Sequence, residues 1–182
     1  LNEGQPARLA SLDEGALEAV SGLGLLSAKP VIYAANVADS DLASGNAMVE
    51  KVRTIASGEG ASVVVVSAQV EAELVELDDE ERSDFLQELG VARGETGLEK
   101  LIREAYTLLR LRTYFTSGET ETKAWTIRAG MLAPQAAGVI HTDFEKGFIR
   151  AETIGYDDLV ECGSEKEAKA QGKARSEGKE YE

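Results

Sequence analysis

The sequence is poor in the residues that build covalent and metal-bound frameworks. It has one cysteine and one histidine among 182 residues. A single thiol, Cys162, excludes an intrachain disulfide and a cysteine-built zinc cage; packing is its expected role. His141 has no second imidazole to share a metal with and no neighbouring serine or cysteine. A structural hydrogen bond at a helix end is its expected role. No apolar run approaches the roughly 20 residues that a membrane-spanning helix needs. The motif G-x-x-x-x-G-K-[ST], whose amides cradle phosphates, is also missing. No catalytic residue and no metal ligand is named on this chain. Cations are few: 19 Lys and Arg stand against 33 Asp and Glu, a formal net charge of −14 and a pI of about 4.6. A field of that sign repels nucleic acid on average, so an RNA contact requires a local basic patch.

What is present suffices for a core, with hydrophobic residues at 43%. The chain is organised around residues 30–69. Pro30 opens an apolar run, Val31-Ile32-Tyr33-Ala34-Ala35, and a second run, Val63-Val64-Val65-Val66, lies beyond residues 46–57. Between them Val49, Val52, Ile55 and Ala56 recur at helical spacing, and Gly58 and Gly60 stop the helix. This is a β-α-β pattern, with both strands expected to be buried on both faces. Ligands in such sheets bind beyond the carboxyl ends of the strands. Those ends carry Asn36-Val37-Ala38-Asp39 and Ser67-Ala68-Gln69. Read from spacing alone, Asn36 also suits an Asx-turn, and Asp39 or Asp41 a cap.

Helices are expected upstream, around Leu17, Val20, Leu23 and Leu26, and downstream over 70–77, 78–89 and 97–111. The last, with Leu98, Leu101, Ile102, Ala105, Leu108 and Leu109, should cover one sheet face. Composition shifts near Arg112. Runs 113–117 and 122–128 read as a hairpin, 134–141 as a short helix, 143–147 as a turn and 148–154 as a third strand. Short helices follow over 156–162 and 164–171, and the tail 165–179 reads as a charged helical face. Tyr114, Phe115 and Trp125 are capable of stacking on bases, but the core is the commoner place for them. Lys123, Arg128, Lys146, Arg150, Lys173 and Arg175 are interleaved with Glu119, Glu121, Asp143, Glu145 and Glu152, which suits a solvated mixed surface.

Several stretches resemble the YchF or Obg-like ATPase family. The paired strand-end loops are similar to the N-K-x-D and S-A-K base-recognition loops of P-loop GTPases, for which this family reads N-x-x-E. Leu111 to Glu119, Lys123 to Ile127 and, most specifically, Ala133 to Glu152 are similar to its carboxy-terminal TGS domain. The resemblance implies an α/β fold: residues 1–112 as the distal part of a P-loop NTPase G domain, then residues 113–182 as a β-grasp TGS domain. That domain is expected to lack its last strand, which in the family follows the position of Tyr181. With no phosphate loop and Leu1 as its first residue, the chain is expected to be the carboxy-terminal part of a longer protein.

The resemblance further implies nucleotide binding by Asn36, Val37, Asp39, Ser67, Ala68 and Gln69, with Asn36 bracing the loops and Asp39 meeting the purine. Val37 stands where a GTPase has lysine, and Asp39 where the family has glutamate. The implied cofactor is ATP, with GTP as an alternative. Mg²⁺ belongs to the parent and its ligands lie outside this chain. The parent is expected to hydrolyse ATP and to regulate translation or stress responses on ribosomes, whereas this chain alone is expected to be inactive. The expected partner is the ribosome or its RNA, through the TGS domain, with neither membrane nor DNA. The alternative is a TGS module that binds RNA without catalysis. The expected location is the cytoplasm, or a plastid or mitochondrion if the wording of residues 36–42 marks an organellar member.

Overall fold

The computed structural model describes residues 4–10, 14–92, 94–118 and 120–182. The chain forms two compact units, Leu1–Leu108 and Leu109–Glu182. Both mix helix with small sheets, so the fold class is mixed α/β.

The first unit begins with a 3-10 turn, Ala7–Leu9, and helix α1, Glu14–Ser21. Strands β1, Ile32–Asn36, and β2, Ser62–Val66, pair in parallel, with Ile32 opposite Ser62 and Asn36 opposite Val66. Helix α2, Ala47–Glu59, joins them. It starts because the Asn46 side chain accepts from the amides of Met48 and Val49, two donors that the helix itself leaves unpaired. It runs through Gly58 and ends at Gly60, whose φ of 65° lets its amide reach back to the carbonyls of Ala56 and Ser57. Gly58 does not stop the helix: nothing in its backbone demands a glycine, whereas Gly60 is left-handed.

Val49 and Ala56 bury the inner side of α2, and Val64 is the buried residue of β2. Burial on both faces of both strands does not hold. Ala34 and Asn36 are exposed, and the other residues of β1 are half-buried. The sheet has two strands, and the helices packed on it cover only part of β1.

Helices α3, Ala68–Glu76, and α4, Asp79–Glu88, enclose the small core of Val70, Leu74 and Leu86. A capping box starts α4: Asp78 accepts from the amide of Glu81, and Glu81 accepts from that of Asp78. Helix α5, Gly97–Leu108, packs on β2 and β1. It approaches so closely that a Cβ on Gly97 would lie 2.8 Å from Cα of Val66. It ends three residues before the expected 111, because the chain turns at Arg110 with a φ of 53° and becomes strand at Leu111.

One contact closes the first unit across its sequence. The Glu59 carboxylate accepts from Tyr33 Oη at 2.9 Å and from the Arg8 guanidinium. The Arg8 and Glu59 side chains are 18% and 19% exposed. These hydrogen bonds hold the Glu59 carboxyl below its ordinary pKa, Arg8 first and Tyr33 second, and they raise the Tyr33 phenol.

In the second unit, β3, Leu111–Ser117, and β4, Thr122–Arg128, form an antiparallel hairpin. Helix α6, Ala133–Ile140, carries Pro134 in its first turn and accepts the Tyr114 hydroxyl at the Ala136 carbonyl, 2.9 Å away. The stretch 143–147, expected as a turn, falls for the most part in a helix, α7, Thr142–Lys146. His141 Nδ1 accepts from the Asp143 amide at 3.2 Å and starts that helix. Strand β5, Ala151–Thr153, is shorter than the expected 148–154 and pairs antiparallel with β6, Arg175–Glu177. Helices α8, Tyr156–Cys162, and α9, Glu165–Ala170, lie between them in sequence. The tail is thus helical only to Ala170: Gly172 at a φ of 72° turns it into β6.

Candidate functional site

The carboxyl ends of β1 and β2 stand side by side, since Asn36 and Val66 are partners in register. The next amide, Val37 N–H, donates to the Val66 carbonyl at 2.8 Å and extends the pairing past the strand end. Beyond it the Asn36 side chain crosses the gap: its Oδ1 accepts from the Ala68 amide at 2.9 Å. The two loops are thus one structure, joined by a bond between residues 32 positions apart. Asn36 makes this cross-strand bond and not an Asx-turn onto its own loop.

Ser67 is 1% exposed and caps α3, its hydroxyl accepting from the Val70 amide at 3.4 Å. Ala68 and Gln69 are exposed and form the first turn of α3. The Gln69 side chain donates along the helix to Glu73 at 3.1 Å. What this loop offers outward is therefore backbone: the Ala68 amide is committed to Asn36 and the Val70 amide to Ser67, which leaves the Gln69 amide of the first turn.

On the other side, Asp39 opens a 3-10 turn, Asp39–Asp41, and is exposed. Its Oδ1 accepts from the Ser40 amide at 2.8 Å. Asp41 is used differently: its Oδ2 accepts from the Asn46 amide group at 2.7 Å, bracing the residue that caps α2. The two acids are close in sequence, but only Asp41 holds up the fold. Val37 is half-buried. The structure therefore brings the 36–39 and 67–69 loops together at one strand-end edge, with an acceptor-only carboxylate at one side and a helix amino terminus at the other.

These groups suit a neutral, hydrogen-bonding ring. They do not make a metal site: among the described residues no cluster of three His, Cys, Asp or Glu is placed to hold one. A hollow of about 410 Å³ lies elsewhere in this unit, lined in part by Arg53, Val64, Gly97, Lys100 and Glu104. None of the six strand-end residues lines it. Among the described residues no helix is long and apolar enough to cross a membrane.

Charge divides unevenly. The first unit has eight cations against twenty carboxylates, a net of −12; the second has eleven against thirteen, a net of −2. The aromatic trio also divides. Tyr114 and Trp125 are opposite one another on the face that meets α6, with Trp125 Nε1 donating to Thr116 Oγ1 at 2.9 Å. Lys123 Nζ stands 4.3 Å over the Trp125 ring. Phe115 lies on the opposite face, exposed, its ring 5.9 Å from that of Tyr156. Sequence reasoning missed Tyr156, which falls on a different element and has no periodic partner.

These polar groups stand at the carboxyl ends of adjacent parallel strands, the place where open α/β sheets bind their ligands, in a protein of mixed α/β class. Residues 111–182 match the family described as YchF-GTPase_C, protein of unknown function (DUF933). The chain is 51% identical over 179 residues to the ribosome-binding ATPase YchF of Bacillus subtilis (strain 168), covering 97% of this chain and 48% of the relative. It is 40% identical over 184 residues to Obg-like ATPase 1 of Caenorhabditis elegans, covering 100% and 46%. A solved structure, the Schizosaccharomyces pombe YchF GTPase, superposes with a TM-score of 0.85 at 38% identity, covering 99% of this chain and 48% of that one. The chain belongs to the YchF and Obg-like ATPase family, and it spans about half the length of the curated relatives it matches.

Proposed function

We propose that this chain supplies the base-side edge of the nucleotide site in a protein that hydrolyses ATP and works on the ribosome. The observation that carries the reading is the Asn36 to Ala68 bond, which makes one recognition edge of two loops. The relatives' names, ribosome-binding ATPase and Obg-like ATPase, support the activity and the partner. Residues 1–112 are then the distal part of a P-loop NTPase G domain, and its parallel β-α-β unit agrees with that. Residues 113–182 are a β-grasp TGS domain, and the order hairpin, helix, strand supports this. The outer edge of β3, which no described strand covers, is where the β-grasp reading calls for its further strand. The bacterial and animal relatives favour the cytoplasm over an organelle.

At the site, Asp39 accepts from N–H groups on the purine, the backbone of Ala68 and Gln69 lines its other side, and Val37 contributes backbone alone. Bound ATP supplies the phosphoryl group, and its phosphates and Mg²⁺ are held by residues outside this chain. What this chain does is grip and orient the ring. Guanine offers Asp39 two N–H donors and adenine only its exocyclic amine, so Asp39 by itself favours GTP. Leaving one buried polar edge unmatched costs about 1–3 kcal/mol, enough to set the preference. Two things weigh for ATP: the curated relatives' names, although the family model and the solved Schizosaccharomyces pombe structure carry the word GTPase, and Val37 in place of the lysine of GTPase loops. Calorimetry on the full-length protein is the test. ATP should bind at least as tightly as GTP, and Asn36→Ala should weaken both. A clear preference for GTP that Asp39→Ala abolishes overturns the reading.

A further inference from the structure

The β3–β4 hairpin has two unlike faces. One meets α6 through Tyr114. On the other, Thr113, Phe115 and Ser117 of β3 and Thr122, Ala124, Thr126 and Arg128 of β4 are all exposed. In this field of small and polar side chains stands one large ring, Phe115, 55% exposed, beside Tyr156, 66% exposed. Their centroids are 5.9 Å apart and their planes are inclined by 32°. The pair is too open to be core; Val160, one turn on from Tyr156 and also exposed, adds some apolar surface, but the hairpin face around Phe115 is small and polar. Flat π-surfaces on an open sheet face, flanked by hydroxyls, suit a flat partner with polar edges.

Charge narrows the partner. In this unit the cations Lys169, Lys173 and Arg175 are paired with Glu152, Asp158 and Glu177. The hairpin cations Arg110, Arg112, Lys123 and Arg128 are in no ion pair among the described residues. Arg128 shares the open face with Phe115. It lies four positions along β4 from Ala124, the residue opposite Phe115, about 13 Å at strand rise. Rings and free guanidinium on one face match a ligand that alternates bases with phosphates.

We infer that Phe115 and Tyr156 form a stacking platform for unpaired RNA bases, with Arg128 facing the phosphate backbone. This rests on the ribosome reading above and names the surface that would make the contact.

The test uses the full-length protein, a labelled single-stranded RNA of mixed sequence and an abasic strand of equal length, followed by fluorescence anisotropy. Phe115→Leu with Tyr156→Leu keeps apolar bulk and removes the rings. It should weaken binding of the base-bearing strand roughly tenfold or more, since each lost stack alone is a severalfold effect or larger. The abasic strand should bind both proteins equally weakly. Phe115→Tyr with Tyr156→Phe should restore wild-type affinity. If the leucine variant does not fold, Thr126→Glu, exposed on the same face, should weaken binding by repelling phosphate. Equal affinity of wild type and the leucine variant for the base-bearing strand overturns the inference. So does an abasic strand bound as tightly as the base-bearing one. Ribosome co-sedimentation separates the two readings. If wild type does not co-sediment, the ribosome reading falls, while the oligonucleotide result still decides the platform. If the leucine variant loses co-sedimentation but wild type binds no oligonucleotide, the face contacts protein, and the platform is overturned while ribosome association stands.

Discussion

Asn36 Oδ1 accepts from the Ala68 amide, and this single bond fastens the loop after β1 to the first turn of α3. The geometry separates two tasks that a strand-end asparagine can perform. Its acceptor is committed to the scaffold, so whatever it contributes to a ligand comes through the position of the Ser67–Gln69 loop. Asn36→Ala should cost about 0.5–1.5 kcal/mol of stability, the net worth of one such bond, because the freed amide is exposed and regains water. Asn36→Asp keeps an acceptor and should cost less. Urea titrations of the three proteins decide it, and equal midpoints for all three would mean that the bond does not hold the loops.

Gly97 is fixed by its neighbour and not by its own torsions. A methyl group there would sit 2.8 Å from Cα of Val66 and 3.0 Å from its Cβ, and a strand backbone does not swing aside as a lysine tip would. Gly97→Ala should lower stability by about 1–3 kcal/mol, the usual cost of overpacking. Alanine gains at most about 1 kcal/mol in helix propensity, and less in the first turn, so the clash wins. A rise in the thermal midpoint of this variant would show that α5 stands off the sheet.

Acid should weaken the first unit through Glu59. The Arg8 and Tyr33 hydrogen bonds depress its folded pKa below the unfolded one. A depressed carboxyl contributes stability that is present above the unfolded pKa and is lost as pH falls through the folded pKa. Wild type should therefore be more stable than Glu59→Gln near neutral pH, with the gap closing as pH falls through the depressed folded pKa. Denaturation midpoints of both proteins across this range measure it. A gap independent of pH would assign the difference to packing alone.

Alkali should act on Tyr114. Burial raises its phenol pKa, and its hydroxyl donates to the Ala136 carbonyl. A raised group contributes stability that is complete below the unfolded pKa and is lost as pH rises through the folded one. Tyr114→Phe should cost about 1 kcal/mol near neutrality. It should also flatten the decline of stability above about pH 10, where the unfolded phenol ionises. Tyr33 is likewise raised, so the comparison is best made in a Tyr33→Phe background.

Local signals carried much of this fold. The β-α-β core of 30–69 was legible because valine runs and a helical stripe alternate there, and short-range sterics enforce both patterns. The hairpin was legible from its two strand-like runs and short polar link. Other features depend on contacts between distant residues and leave no local trace. Glu59 looks like any surface acid until Arg8 and Tyr33 close on it. Gly97 looks like a helix start until Val66 is placed behind it. Residues 143–147 read as a turn because five residues are too short for periodicity, and His141 supplies the cap that winds Thr142–Lys146 into a helix. At the strand-end edge, residue types and positions were readable. That Ser67 is buried as a cap, and that Asp41 rather than Asp39 braces α2, depended on the fold.

Every strand described here pairs with the next strand in the chain: β1 with β2, β3 with β4 and β5 with β6. Between paired residues the chain never closes a loop longer than the 30 residues from Ile32 to Ser62. Loop-closure entropy rises only slowly with length, and short loops keep contact order low. Each of these strand pairs can therefore zip as soon as its second strand has been made. During synthesis the parallel pair, the hairpin and the last small sheet would form one after another, in the order in which they emerge.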